Sequence, residues 1–276
     1  MYSYAFEVKC LPKQHEQEFK PIHHTRHEKK NIVMITSILN PISTPLSYSN
    51  IRSAFSVEER FTQTVNSIIS VRKYIHNALI CLIECSEPAF MQTIHPGYNS
   101  SYEDILISIV DVYKNFYSED SVRNAVTSPY KSLGEVKFML HFLKHDPSSR
   151  IISALHLENS KNSTSGSNFN MFFKLSGRYF INSFFDYRLF NEAPGESVVL
   201  VKDDQTVSTR LFMIRNSFFP SFLSGLERML LEPTLLNGQD YIENMIARFA
   251  FPDTNSCIQR LGVSGMIAVD KSVIDE

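Results

Sequence analysis

The sequence has 276 residues, 43% of them hydrophobic, 20% charged and 12% aromatic, with 21 Phe, 12 Tyr and no Trp. This is globular composition, too apolar for a disordered chain and sufficient for one large domain or two small ones. Twenty-seven basic against 29 acidic side chains leave a net charge of −2, which offers nothing to nucleic acid phosphate and argues against a DNA or RNA partner.

Nine glycines are under half the ordinary share of about 7%, which excludes collagen-like, glycine-rich and GxGxxG readings. Four cysteines (Cys10, Cys81, Cys85, Cys257) form no CxxC pair. They fit free thiols in a reducing compartment, with Cys81 and Cys85 as small buried residues of an apolar run. No secretory leader and no membrane-crossing apolar segment is read, so the expectation is a cytoplasmic protein, peripheral at the inner membrane face at most.

Residues 1–30 are polar and end in a run containing His23, His24 and His27. These histidines lack a partner Cys or carboxylate pattern, and a solvated segment explains them better than a metal site. The first core element starts at Asn31, where Ile32-Val33-Met34-Ile35 predicts a buried strand ending at Thr36-Ser37. After a Pro- and Ser-containing loop, Ser56 and Glu59 form a capping box for a helix with Phe61, Val65, Ile68 and Ile69 on its apolar side. Ala78–Ile83 is apolar throughout and stops at Glu84. Strand, helix and strand, each strand apolar on both faces, predict a β-α-β unit of a covered parallel sheet.

Further along, Tyr102–Tyr117 and Leu133–Leu143 read as amphipathic helices, and 158–168 as a low-complexity loop. Asn170–Leu175 predicts a third buried strand, leading into Ser176-Gly177-Arg178-Tyr179. Ser197–Val201 and Val207–Ile214 read as a hairpin around Lys202–Thr206, with helices at 221–231 and 239–249. No internal repeat is found.

In open α/β sheets, functional groups gather at the carboxyl ends of strands. Three such ends carry polar groups here: Thr36-Ser37, Glu84 and Ser176–Tyr179. Glu84 can accept hydrogen bonds from a ribose or base; a helix-terminal charge or surface ion pair explains it equally well. Lys174 and Arg178 bracket Gly177, joining close backbone approach to a guanidinium fork for phosphate, with a sheet-edge ion pair as the bland alternative. Lys131 and Gly134 open a helix, another anion-friendly setting. Asp240 and Glu243 share a face at a helix start, where Glu243 can act as general base; capping and the helix dipole explain the same pair without catalysis.

Asp203-Asp204 suits a hairpin turn better than a metal pair, and His141/His145 lack the Glu of an HExxH zinc site. No Walker sequence, GxSxG elbow or D-x-D triplet occurs.

Asn31–Ser37, Arg52–Ser56, Glu59–Thr64, Leu82–Ser86, Lys131–Glu135, Phe173–Tyr179 (FKLSGRY), Ser208–Leu211 and Leu261–Gly265 occur in this order. Together they resemble a family of glycosyltransferase-like proteins of bacterial surface-polysaccharide loci and large viruses, over about residues 31–276, with the KLSGRY segment most specific. The resemblance implies a GT-A-like α/β fold: a Rossmann-type, mostly parallel sheet flanked by helices, with a hairpin and helices in the C-terminal half. It implies one domain over 31–276, with a nucleotide-binding half at 31–150 and an acceptor half at 151–276. The implied activity is transfer of a sugar from a nucleotide-sugar donor to a glycan or other hydroxyl acceptor.

On that reading Thr36, Ser37 and Glu84 hold the nucleoside. Arg52, Lys131, Gly134, Lys174, Ser176, Gly177, Arg178, Tyr179 and Arg210 form the donor site, and Glu243 with Asp240 supplies the base. Without a D-x-D, a cation is expected to take the metal's electrostatic role, and divalent-metal dependence stays open. The rival is a non-catalytic nucleotide- or carbohydrate-binding module of the same fold. A third alternative is a scaffold meeting other proteins through its aromatics. Convergence of Glu84, Arg178 and Glu243 on one cleft is what the enzyme reading requires.

Overall fold

The computed structural model describes residues 30–42, 44–145, 169–203, 206–237, 241–250 and 255–276. The histidine run at 23–27, the 158–168 loop, Asp204 and Asp240 lie outside them. In chain order the first half is β1 (Lys30–Ser37), α1 (Val57–Tyr74), β2 (Ala78–Glu84), α2 (Pro88–Met91), α3 (Tyr102–Ile109), β3 (Val112–Asn115), α4 (Asp120–Thr127) and α5 (Lys131–His145). There follow β4 (Phe169–Ser176), β5 (Tyr179–Ile181), α6 (Tyr187–Asn191), β6 (Ser197–Asp203), β7 (Thr206–Val207), β8 (Leu211–Arg215) and α7 (Phe219–Met229). The chain ends with α8 (Pro233–Leu236), α9 (Ile242–Met245), a π-helical turn (Ile246–Ala250), β9 (Asn255–Ile258), β10 (Val263–Met266) and β11 (Val273–Asp275).

The central sheet has the order β3-β2-β1-β4-β8-β6-β7, with β9 on β6. Six of its eight strands point one way; only β7 and β8 are reversed. The continuous apolar runs explain the layering. In β1, Ile32 and Met34 face one side, packed with Phe138, Phe142 and Phe222 from α5 and α7. Val33 and Ile35 face the other, packed with Phe61, Ile68 and Val71 from α1. Helices therefore cover both faces, as a parallel sheet demands.

Ser56 caps α1: its Oγ accepts from Glu59 N (3.2 Å), and Glu59 Oε2 accepts from Ser56 N (2.7 Å). The same device at Ser101 and Asp104 starts α3. The helix predicted over Tyr102–Tyr117 ends early, at Ile109, and Val112–Asn115 is an edge strand instead. Val110 is already extended, with φ −124° and ψ 162°. Asp111 then locks the chain to β2 by accepting from Ile80 N (2.8 Å) and donating its own N–H to Ile80 O (3.0 Å). The β-branched and aromatic Val110, Val112 and Tyr113 favour the strand that this anchor permits.

The predicted second hairpin strand is also divided. β7 pairs with β6, and the chain then bends so that β8 lies between β4 and β6. A separate three-stranded sheet, β11-β10-β5, packs on α1. There Ser67 Oγ donates to Tyr179 O (2.6 Å) and Ser70 Oγ accepts from Ile181 N (2.9 Å), so buried helix hydroxyls serve as the edge partner of β5.

Candidate anion site at the strand ends

β1 and β4 are parallel neighbours whose last paired residues are Thr36 and Ser176. Beyond Ser176 the chain must turn at once toward β5. Gly177 N–H donates to Thr36 O (2.8 Å), and a Cβ on Gly177 would lie 2.8 Å from that oxygen, so only glycine closes this turn undisturbed. From α1, Thr64 Oγ1 donates to Gly177 O (3.3 Å) and shares a 3.1 Å hydrogen bond with Ser37 Oγ. The turn is thus held by both β1 and α1.

A cavity of about 190 Å³ opens over these strand ends. Thr36 and Ser37 line it from β1, Ser176, Gly177 and Arg178 from the turn, and Arg60 and Thr64 from α1. Lys131, Gly134 and Glu135 line it from α5, and Ile267–Val269 close the far wall. The wall segment is attached by Ala54 N–H donating to Ala268 O (2.7 Å).

Among the described residues, four cations line this space: Arg52, Arg60, Lys131 and Arg178. Arg60 is buried, and its Nε and Nη1 donate to Ile38 O (2.5 Å) and Ser53 Oγ (3.1 Å). Burial, reinforced by the nearby Arg178 charge, pulls its guanidinium down to about 9. Lys131 is exposed as a whole residue and also lines the cavity. Burial and then Arg178 push that amine down to about 8. Arg178 Nη1 is buried with no hydrogen-bond partner, an omission worth about 1–3 kcal/mol that an anion in the cavity would repair.

The one carboxylate among the described lining residues is Glu135, ion-paired with the fully buried Lys174. Burial pushes the Glu135 carboxyl up, but Lys174 and Lys131 outweigh it and hold the group below its ordinary range. A divalent cation needs several oxygen ligands. Among the described lining residues a single carboxylate, already engaged by Lys174 and set among four cations, offers no carboxylate cluster for a divalent cation. The same lining fits phosphate.

Of the residues singled out in the sequence, Thr36, Ser37, Arg52, Lys131, Gly134, Ser176, Gly177 and Arg178 come together on this cavity. Their roles there differ from one another. Arg52 closes the C-terminus of α4: Nη1 donates to Val126 O (2.9 Å), Nη2 to Thr127 O (3.1 Å) and Ser128 O, and Nε to Thr44 O (3.0 Å). It contributes charge more than free donors. Gly134 lets α5 approach α4, since a Cβ would meet Ala125 O at 3.0 Å. Lys174 uses its three protons on Glu135, Ser176 Oγ (2.7 Å) and Thr209 O (2.8 Å) and reaches the cavity only through those partners.

Glu84, Tyr179 and Arg210 stand outside the cavity wall. Glu84 is fully buried; its Oε1 accepts from Leu39 N (3.1 Å), Cys85 N (3.0 Å) and Ser86 Oγ (2.6 Å), which fixes the loop after β1. Burial raises its carboxyl above the usual range despite those bonds. Tyr179 is buried beneath the guanidinium groups of Arg178 and Arg210, 5.5 and 5.4 Å from its ring centre. Arg210 pairs with Glu276.

Glu243 does not line the cavity. Ser132 Oγ accepts from Ile242 N (3.1 Å), which docks the start of α9 beside Lys131, and the Glu243 charge is felt by both Lys131 and Tyr48. Of the three residues whose convergence the enzyme reading requires, only Arg178 lines the cavity; Glu84 is buried outside its wall, and Glu243 reaches Lys131 and Tyr48 through its charge without lining it. Asp240 falls outside the described residues.

Sequence reasoning passed over Arg60, Tyr48, Glu135 and the 267–269 wall. Arg60 had a visible signal: Arg60, Thr64, Ser67 and Val71 recur at helical spacing on the face α1 buries. A charged and hydroxylated stripe on a buried face marks a helix that meets something polar.

No family model matches the chain, and no curated protein matches it in sequence. Solved structures resemble it in fold at low scores. They include the glycosyltransferase GlyE of Streptococcus pneumoniae TIGR4, at 9% identity and a TM-score of 0.41, covering 84% of this chain and 46% of that one. Mouse xyloside xylosyltransferase 1 is similar at 10% identity and a TM-score of 0.42, covering 83% and 84%. The 4-diphosphocytidyl-2C-methyl-D-erythritol synthase of Anaerococcus prevotii DSM 20548 is similar at 10% and 0.38, covering 83% and 88%. The chain thus spans under half the length of the pneumococcal enzyme. At such identities no residue's role transfers from these proteins.

Proposed function

We propose that the cavity binds the diphosphate of a nucleotide-activated sugar and that the protein transfers the sugar to a hydroxyl of a glycan or similar acceptor. One observation carries the reading: the buried, unpartnered Nη1 of Arg178 lines a cavity with Arg60 and Lys131 at the carboxyl ends of β1 and β4. Three positive groups held close together against their mutual repulsion are stabilised by a multiply charged anion. Thr36 and Ser37 lie where the nucleoside's hydroxyls would meet the strand ends.

In the transfer, the acceptor oxygen forms a bond to the anomeric carbon while that carbon's bond to the diphosphate oxygen breaks. The acceptor proton passes to Glu243, and the released charge stays on the nucleoside diphosphate, held by Arg178 and Lys131. Direct displacement of this kind inverts the anomeric centre. The cationic lining supplies electrostatic stabilisation without any step through a metal.

The test is isothermal titration of uridine, guanosine and cytidine diphosphates. At least one is expected to bind, and Arg178→Ala should weaken it roughly 10- to 100-fold through loss of a charged hydrogen bond. Absence of binding for all three, or an Arg178→Ala variant indistinguishable from wild type, overturns the reading. Glu243 is absent from the described cavity lining, an observation that favours a second reading, a nucleotide-binding module without turnover. Intact binding with no transfer across varied acceptors would select it.

A further inference from the structure

The turn that carries Tyr48 is short and braced. Leu46 and Ser49 exchange backbone hydrogen bonds (3.0 and 3.2 Å), leaving Ser47 and Tyr48 at the tip. Ser47 N–H donates to Pro129 O (3.0 Å), which fixes the tip against the connection between α4 and α5. Tyr48 keeps 54% of its surface exposed while also lining the cavity. Three residues beyond Pro129, Ser132 Oγ holds Ile242 N and with it the start of α9. The segment 129–132 thus carries Lys131, with the Tyr48 turn and the Glu243 helix both fastened to it.

A large, half-exposed aromatic ring on a braced turn, with no core to fill, offers one apolar face beside a strongly charged site. Such a surface suits a ring that is apolar on its C–H faces and polar at its edge, which is the character of a pyranose. We propose that Tyr48 is the residue against which the transferred glycosyl group packs, between the diphosphate at Arg178 and Lys131 and the base at Glu243. This rests on the transferase reading, because it is the acceptor proton's destination that places the sugar on the Glu243 side. The nucleoside then extends along the strand ends, away from Tyr48. Arg178, Glu243, Arg52 and Glu135 all act on the Tyr48 phenol, so the ring lies within electrostatic reach of both the cationic lining and Glu243.

The experiment compares a nucleoside diphosphate with its own sugar conjugate: UDP with UDP-glucose, GDP with GDP-mannose and CDP with CDP-glucose, titrated into wild type, Tyr48→Ala and Tyr48→Phe. For the nucleotide that binds, Tyr48→Ala should leave diphosphate affinity within about twofold and lower the sugar conjugate's about five- to tenfold. Tyr48→Phe, which keeps the ring, should stay within about twofold for both. Unchanged diphosphate binding also shows that the variant is folded. Equal loss for diphosphate and conjugate would place Tyr48 on the nucleoside or phosphate instead, and equal retention would give it no part; either overturns the proposal. Failure of every diphosphate to bind wild type overturns the transferase reading, and this inference with it.

Discussion

Arg178 and Lys131 share a cavity too small to let two positive charges ignore each other, and Lys131 registers the conflict, its amine drawn down to about 8 by burial and by Arg178. An anion bound there favours the protonated amine, so its affinity is full below about pH 8 and declines above it. Each further pH unit is expected to weaken diphosphate binding by up to about tenfold, until the amine's raised pKa in the complex is passed. Titrations from about pH 7 to 9.5 should show this fall in wild type. Lys131→Met should bind more weakly and lose the fall that begins near pH 8, keeping only the decline that Arg60, drawn down to about 9, adds at the upper end; a wild-type profile no steeper than the variant's would remove Lys131 from the site. Single residues were legible in sequence mainly by type. Lys174, Arg178 and Lys131 all read as phosphate cations, but their free protons depend on neighbours far away in the chain. Thr209 and Glu135 absorb Lys174, and the carbonyls at the end of α4 absorb Arg52. Arg178 alone of these keeps a buried donor unused.

β1, β2 and β4 were legible because a strand buried on both faces is apolar along most of its length, and the capping box of α1 states its own start. β3 was not, because its apolar residues also satisfy helical spacing, and only the bonds of Asp111 to Ile80 across the sheet decide between the two. The β4–β5 turn joins these scales, since its glycine serves packing and site together. Gly177→Ala must force a Cβ toward Thr36 O, 2.8 Å away in the undisturbed backbone. We expect it to lower stability in urea unfolding by about 1–3 kcal/mol and to weaken diphosphate binding with it, since Arg178 is the next residue. A variant of wild-type stability and affinity would mean that the turn relaxes freely and does not aim Arg178.

Across the whole molecule, the sheet places its carboxyl ends together, and the site is completed by elements remote in sequence. The β5-β10-β11 sheet rests on α1, and the segment after β10 reaches back to Ala54 to form a cavity wall. Short strands such as Tyr179–Ile181 and Val263–Met266 carry little signal of their own; the first is held by hydroxyls of α1 some 110 positions away, and the second pairs with it. This is why the half of the site built by β1, α5 and the FKLSGRY segment could be anticipated, while its far wall could not. The central claim is that one cationic cavity at the ends of β1 and β4 receives a nucleoside diphosphate. A crystal structure of the protein grown with uridine, guanosine or cytidine diphosphate tests it most directly. Phosphate oxygens are expected within hydrogen-bond distance of Arg178 Nη1 and Lys131 Nζ; a diphosphate bound elsewhere, with Arg178 Nη1 still unpartnered, would overturn the assignment of this cavity.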